Sequence, residues 1–209
     1  MSARTTSILF IILAVLGGGG YFWYTTRMHE SLVSLDSRQN TADFLLHASV
    51  PFHLDTRNKT AECMVHDSLP DHSCTPGAVF ARATPDVICV LGYTKTVRNV
   101  STATKKKVFR EYGMSYPAPY GTVEIDHVIP LELGGSNDIA NLFPEAADPV
   151  PGFREKDLVE DYLHEEVCAG VVDIKVAQEQ IANDWVRVYK TLSPEEIDRL
   201  QQAYKSWAS

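Results

Sequence analysis

Asp126 and His127 stand side by side in Glu124-Ile125-Asp126-His127-Val128-Ile129-Pro130-Leu131. Gly134-Gly135-Ser136-Asn137 and Asn141-Leu142 follow closely. A carboxylate is a hard oxygen ligand suited to Mg2+ or Mn2+. A neutral imidazole near pH 7 is the usual general base. Together the two groups can hydrolyse a phosphodiester, the base activating water while the metal stabilises charge on the phosphate and the departing oxygen. The Asp-His pair alone is a common dipeptide. The glycine turn and the second polar anchor at this spacing make it specific. In a regular strand Asp126 and His127 would point to opposite faces. Both can serve one site if the strand ends or twists there, and Pro130 makes such a break plausible because it cannot donate to a ladder.

The elements around the pair follow from patterning. Val87 to Leu91 is a short apolar run closed by Gly92 and predicts a strand. Ser101 to Tyr112 predicts a helix with a hydroxyl cap, an apolar stripe of Val108, Phe109 and Tyr112, and Gly113 as stop. Thr122 to Val128 predicts the strand that carries the pair. Leu133 to Asp138 has turn chemistry, and Asn141 to Phe143 predicts a short return strand stopped by Pro144. Helices are expected over Phe153 to Val167 and Ile174 to Leu192. A last one starts at a capping box of Ser193, Pro194 and Glu196. The order β-α-β-β-α-α-α predicts an α+β domain.

The segment Glu124 to Asn137, with Asn141 to Glu145, resembles the HNH nuclease family, in a bacterial branch with Glu-x-Asp-His-x-Ile-Pro-Leu-Glu-Leu-Gly-Gly-Ser-Asn and Asn-Leu-x-Pro-Glu. The likeness continues in Lys156-Asp157, Glu160, Leu163-His164 and Val167-Cys168, and covers residues 75 to 190. It implies a ββα-metal core with additional C-terminal helices and a divalent ion, Mg2+ or Mn2+, with no small-molecule cofactor. On its motif, His127 matches the general base, Asp126 the metal ligand and Asn141 the asparagine that braces the turn. The branch often has Asn-Ala four residues before Lys-Asp. This chain has Gly152-Phe153, and glycine offers no ligand. Asp157, His164 or Glu145 is expected to substitute, or water to complete the shell. For His164 a packing role beside Cys168 is the competing expectation. The zinc-binding Cys-x-x-Cys pairs of many HNH domains are absent, and a Cys89–Cys168 bridge could brace the domain instead.

The chain has 209 residues, 44% hydrophobic and 22% charged, which is globular in composition, and a net charge of -8. Overall acidity counts against nucleic-acid binding unless positive charge is local. It is local. Between Asp86 and Glu111 no acidic residue occurs, while Lys95, Arg98, Lys105, Lys106, Lys107 and Arg110 do. Beside the hairpin they are expected to track a phosphate backbone, DNA foremost and RNA second, with little sequence preference. A solvated helix face is the bland alternative.

Ser7 to Tyr24 is uncharged and spans roughly 27 Å as a helix, about a bilayer core. Tyr21, Trp23 and Tyr24 stand where an interfacial aromatic belt would. A transmembrane signal-anchor over residues 1–26 is expected, with a cleaved signal peptide as alternative. Residues 27–74 are expected as a stalk and loop-rich lead-in, and 75–209 as the HNH-like domain. Cys63, Cys74, Cys89 and Cys168 all follow the membrane signal. An even count there implies disulfides and a location outside the cytoplasm, at the periplasm or cell surface. Cys63–Cys74 and Cys89–Cys168 is the expected pairing. A metal site from Cys63, His66, His72 and Cys74 is the alternative. Two rival functions stay open: a degenerate HNH-like domain that binds nucleic acid without cutting it, and a membrane-anchored envelope interaction protein.

Overall fold

The computed structural model describes residues 56–204. The expected membrane segment and most of the stalk lie outside them. Among the described residues no helix is long and apolar enough to cross a membrane. The architecture is α+β. Two short helices, α1 (Pro85–Ile88) and α2 (Tyr93–Val97), precede α3 (Thr102–Glu111). An antiparallel hairpin follows, β1 (Val123–His127) with β2 (Leu142–Ala146). Three helices complete the chain: α4 (Phe153–Cys168), α5 (Ile174–Tyr189) and α6 (Pro194–Ala203).

Two expectations are corrected. Val87 to Leu91 is not a strand; Pro85 at the first position after the extended Thr84 starts a single helical turn, which ends at Cys89. A proline there lacks only an N–H that a first helical turn leaves unpaired anyway. Nor does Pro144 stop the return strand, which continues to Ala146. Backbone bonds from Val128 N–H to Asn141 O and from Ala147 N–H to Thr122 O set the ladder. Alternation between them leaves Pro144, opposite Ile125, at a non-hydrogen-bonded position where a missing N–H costs nothing.

The helices start where expected. The Ser101 hydroxyl accepts from Thr104 N–H at 3.0 Å and the Ser193 hydroxyl from Glu196 N–H at 3.1 Å. In α5, Asp184 leaves helical geometry (φ -164°, ψ 77°), and its carboxylate takes Arg187 N–H, so the helix restarts at a cap. The core joins hairpin and helices through Leu142, Phe143, Leu163, Ile181, Trp185 and Leu200, all essentially buried. Of the expected stalk and lead-in, residues 57–74 are tied to this body. Arg57 pairs with the buried Glu111, and Cys63 N–H donates to Glu111 O at 3.0 Å. Cys63 is bridged to Cys74 and Cys89 to Cys168, the pairing expected. The bridge removes both sulfurs from the alternative site with His66 and His72.

Candidate active site

The long turn between the strands is held by one side chain. Asn141 is fully buried. Its amide donates to Ile129 O and Ser136 O, both at 2.9 Å, and accepts from Ile129 N–H at 2.9 Å and Ala78 N–H at 3.2 Å. This is the bracing role expected of it. The turn closes so tightly that a Cβ on Gly135 would lie 1.7 Å from Ile129 O. Only glycine fits.

The turn delivers Asn137 to His127. His127 Nε2 lies 3.2 Å from Asn137 Oδ1. Which atom donates follows from the network. Asn137 Nδ2 must donate to Val97 O, at 2.7 Å, because a carbonyl can only accept, and its Oδ1 already takes Asn99 N–H. The oxygen therefore faces the ring, and Nε2 carries the proton. Nδ1 is left with its lone pair. Burial pushes the imidazole below its ordinary 6.5, although the Asp126 charge works the other way. An imidazole oriented by Asn137 and neutral at pH 7 results. Asn137 belongs to the turn motif but was not singled out by type; its signal was its place at the end of Gly-Gly-Ser-Asn.

Asp126 meets α4. There Lys156, with no exposed surface, donates to Asp126 Oδ2 at 2.6 Å, to His127 O at 2.8 Å, and to Glu160 one turn on. Glu145, fully buried, lies 4.0 Å from the same ammonium. Burial alone would raise Asp126; Lys156 and Glu145 beside it hold it down to about 2. Burial raises Glu145 and Glu160 well above the carboxylate range, and Asp157 to about 8 with help from the Asp126 charge. The backbone carbonyl of His127 joins the two halves of the site, since Lys156 binds it and Asp126 together. The side chains themselves have different partners, Lys156 for Asp126 and Asn137 for His127, and the Asp126 charge still reaches the ring.

The other expected residues divide. Glu145 and Asp157 belong to this carboxylate group. His164 stands two turns, about 12 Å, along α4 from Lys156, with its Nε2 3.3 Å from Ile88 O and from Cys168 Sγ. It packs beside the disulfide, as the competing expectation had it. Cys89, His164 and Cys168 do bring potential ligand atoms within 4.8 Å of one another. The two sulfurs are spent on the S–S bond, so the trio holds no ion while oxidised. Gly152 offers no ligand and could not. A Cβ there would meet Ala147 O at 2.4 Å and Ala146 O at 2.5 Å, while Glu155 caps its N–H at 2.8 Å. Among the expected phosphate contacts, Arg98 is exposed, and its charge reaches His127. Lys95 is exposed on α2, and Lys106, Lys107 and Arg110 on α3, with Lys105 half-buried.

The donor chemistry fits a hard divalent cation. Every candidate around Asp126 is a carboxylate, and Glu145 keeps both buried oxygens without a hydrogen-bond donor. One ammonium faces the four carboxyl groups of Asp126, Glu145, Asp157 and Glu160, and a cation could take the place of the protons that burial holds on the last three. Compared with known proteins, the chain matches no family model, no curated protein and no solved structure.

Proposed function

We propose that this chain is a metal-dependent endonuclease of the HNH type, with β1, β2 and α4 as its ββα-metal core, hydrolysing DNA and secondarily RNA phosphodiesters. The observation that carries this is His127: a buried imidazole with Nε2–H fixed by Asn137 and Nδ1 free, next to a cluster of carboxyl groups that outnumber its one ammonium. Asp126 and Glu145 would hold Mg2+ or Mn2+, with Asp157 beside them. Such an ion supplies charge stabilisation at the phosphate and the departing oxygen. His127 Nδ1 takes the proton from the attacking water, and Asn137 keeps the ring in the tautomer that can do so. Asp126 stabilises the imidazolium that forms. Arg98 draws the phosphate toward the base. The N-terminal segment would anchor the domain outside the cytoplasm.

A second reading has its own observation. Lys156 already neutralises Asp126 Oδ2, which suits a degenerate HNH-like domain that binds nucleic acid without cutting it. Supercoiled plasmid incubated with the chain and Mg2+ or Mn2+ separates the two. Nicking that is lost with chelator and with His127→Ala supports the enzyme. Salt-sensitive binding without nicking supports the binder, and neither supports an envelope interaction protein.

A further inference from the structure

From Val87 to Val123 the chain carries six cations and one acid, and that acid, Glu111, is buried against Arg57. The surface here is therefore strongly positive in a chain of net charge -8. Aromatic residues belong to the same stretch of chain. Tyr116, in the loop after α3, packs against that helix, its ring edge-on to Phe109 at 5.4 Å and the Lys106 ammonium 5.8 Å from its centroid. Four residues on, Tyr120 is 103% exposed. It belongs to a loop that is held rather than loose. Pro117 and Pro119 restrict it, Thr122 returns both its N–H and its hydroxyl to Pro119 O at 3.2 and 2.7 Å, and Gly121 turns at φ 74°. The loop leads directly into β1.

A fully exposed tyrosine gains nothing from the fold. At the end of a cation-rich stretch of chain it has a natural partner, the face of an unstacked base. Base–aromatic stacking adds to phosphate contacts in sequence-tolerant single-strand binding, whereas the bases of a duplex hide their faces from it. Tyr120 precedes His127 by seven residues, at most about 25 Å of chain, within the span of a short oligonucleotide.

We infer that Tyr120, with Tyr116 and the α3 cations Lys106 and Arg110, forms a stacking platform for single-stranded nucleic acid. The inference deepens the nuclease reading and rests on it for the direction of the strand toward His127. Binding of the full chain to fluorescein-labelled oligothymidylate, oligouridylate and a duplex of equal length, followed by anisotropy in chelator, tests it. Single strands are expected to bind more tightly than duplex. Tyr120→Ala should weaken single-strand binding about tenfold and leave duplex binding unchanged, and Tyr120→Trp should retain it. Which sugar is preferred names the source of the strand. Equal affinity for single strand and duplex, or a Tyr120→Ala variant that binds single strands like the parent, overturns the platform. The two proposals fail separately. Tyr120-dependent binding by a chain that cuts nothing sinks the nuclease and leaves the platform. Cutting with no strand preference and no effect of Tyr120→Ala does the reverse.

Discussion

Asn137 decides what His127 can do, because it alone fixes which ring nitrogen carries the proton. Asn137→Ala leaves the ring free to take either tautomer, and cleavage should fall about a hundredfold, the low end for a general base. The acid limb of the rate profile should lie below pH 6.5 in the parent, since burial lowers the imidazole from that value. Asn137→Asp should move the limb upward, because an adjacent carboxylate favours the imidazolium. A pH series of kcat/KM on plasmid reads both. An unmoved limb in Asn137→Asp would remove Asn137 from the mechanism. Lys156 makes a second case. Lys156→Met takes the ammonium from between Asp126, Glu145 and Glu160 and should cost about 3–5 kcal/mol in urea unfolding, as for a broken buried ion pair. Added Mn2+ should raise the melting temperature of this variant more than that of the parent. Equal responses would argue that the carboxylates do not gather a cation.

At the level of elements, the hairpin depends on its turn, and the turn on Asn141 and Gly135. Asn141→Ala orphans several buried backbone groups at about 1–3 kcal/mol each, so unfolding should be easier by about 3 kcal/mol or more. Gly135→Ala should be worse than its size suggests, because the new methyl meets Ile129 O at 1.7 Å. Guanidinium melts that place both variants within 1 kcal/mol of the parent, a threshold of about one hydrogen bond, would contradict this account of the turn. These are also the elements most legible in the sequence. Gly-Gly-Ser-Asn marks a turn by its conformational needs, and the helices α3 to α6 are marked by stripes and caps. Val87 to Leu91 was not legible, because a short apolar run has no period to separate helix from strand. The signal that decides it is Pro85 behind Thr84. Pro144 misled for a different reason. Whether a strand tolerates proline depends on which positions bond across the ladder, and register belongs to the pair of strands. Lys156 was visible as part of Lys156-Asp157, but its place under Asp126 requires α4 to pack on one face of β1. No local pattern encodes that.

Across the whole molecule the carboxylates set how stability responds to pH. Burial raises Asp157, Asp161 and Glu132 to about 8, and Glu145 and Glu160 well above their ordinary range. Oxygens of Glu132, Glu145 and Asp161 stay buried without a donor. In the unfolded chain these groups titrate near 4. Between about pH 4 and 8 the folded state therefore holds more protons than the unfolded one, and stability must fall as pH rises. The contribution is complete below the unfolded value and lost as pH passes the folded one. His127 runs the other way. Its folded value is depressed, so its contribution is present above 6.5 and lost below. One imidazole opposes six carboxyls, since burial also raises Glu124 to about 7, and Asp126, held near 2, weighs in only at more acid pH. The melting temperature in chelator should thus be higher near pH 5 than near pH 8. Divalent cations should narrow the gap, since a cation on the Asp126 cluster substitutes for the protons that its carboxyls lose. Their stabilisation should be larger at pH 8, where the carboxylates are ionised, than at pH 5. Scanning calorimetry at the two pH values, with and without Mn2+, tests both. A melting temperature that rises from pH 5 to pH 8 in chelator would mean that these carboxyls are ionised in the folded protein. The surplus negative charge would then be balanced by something other than protons.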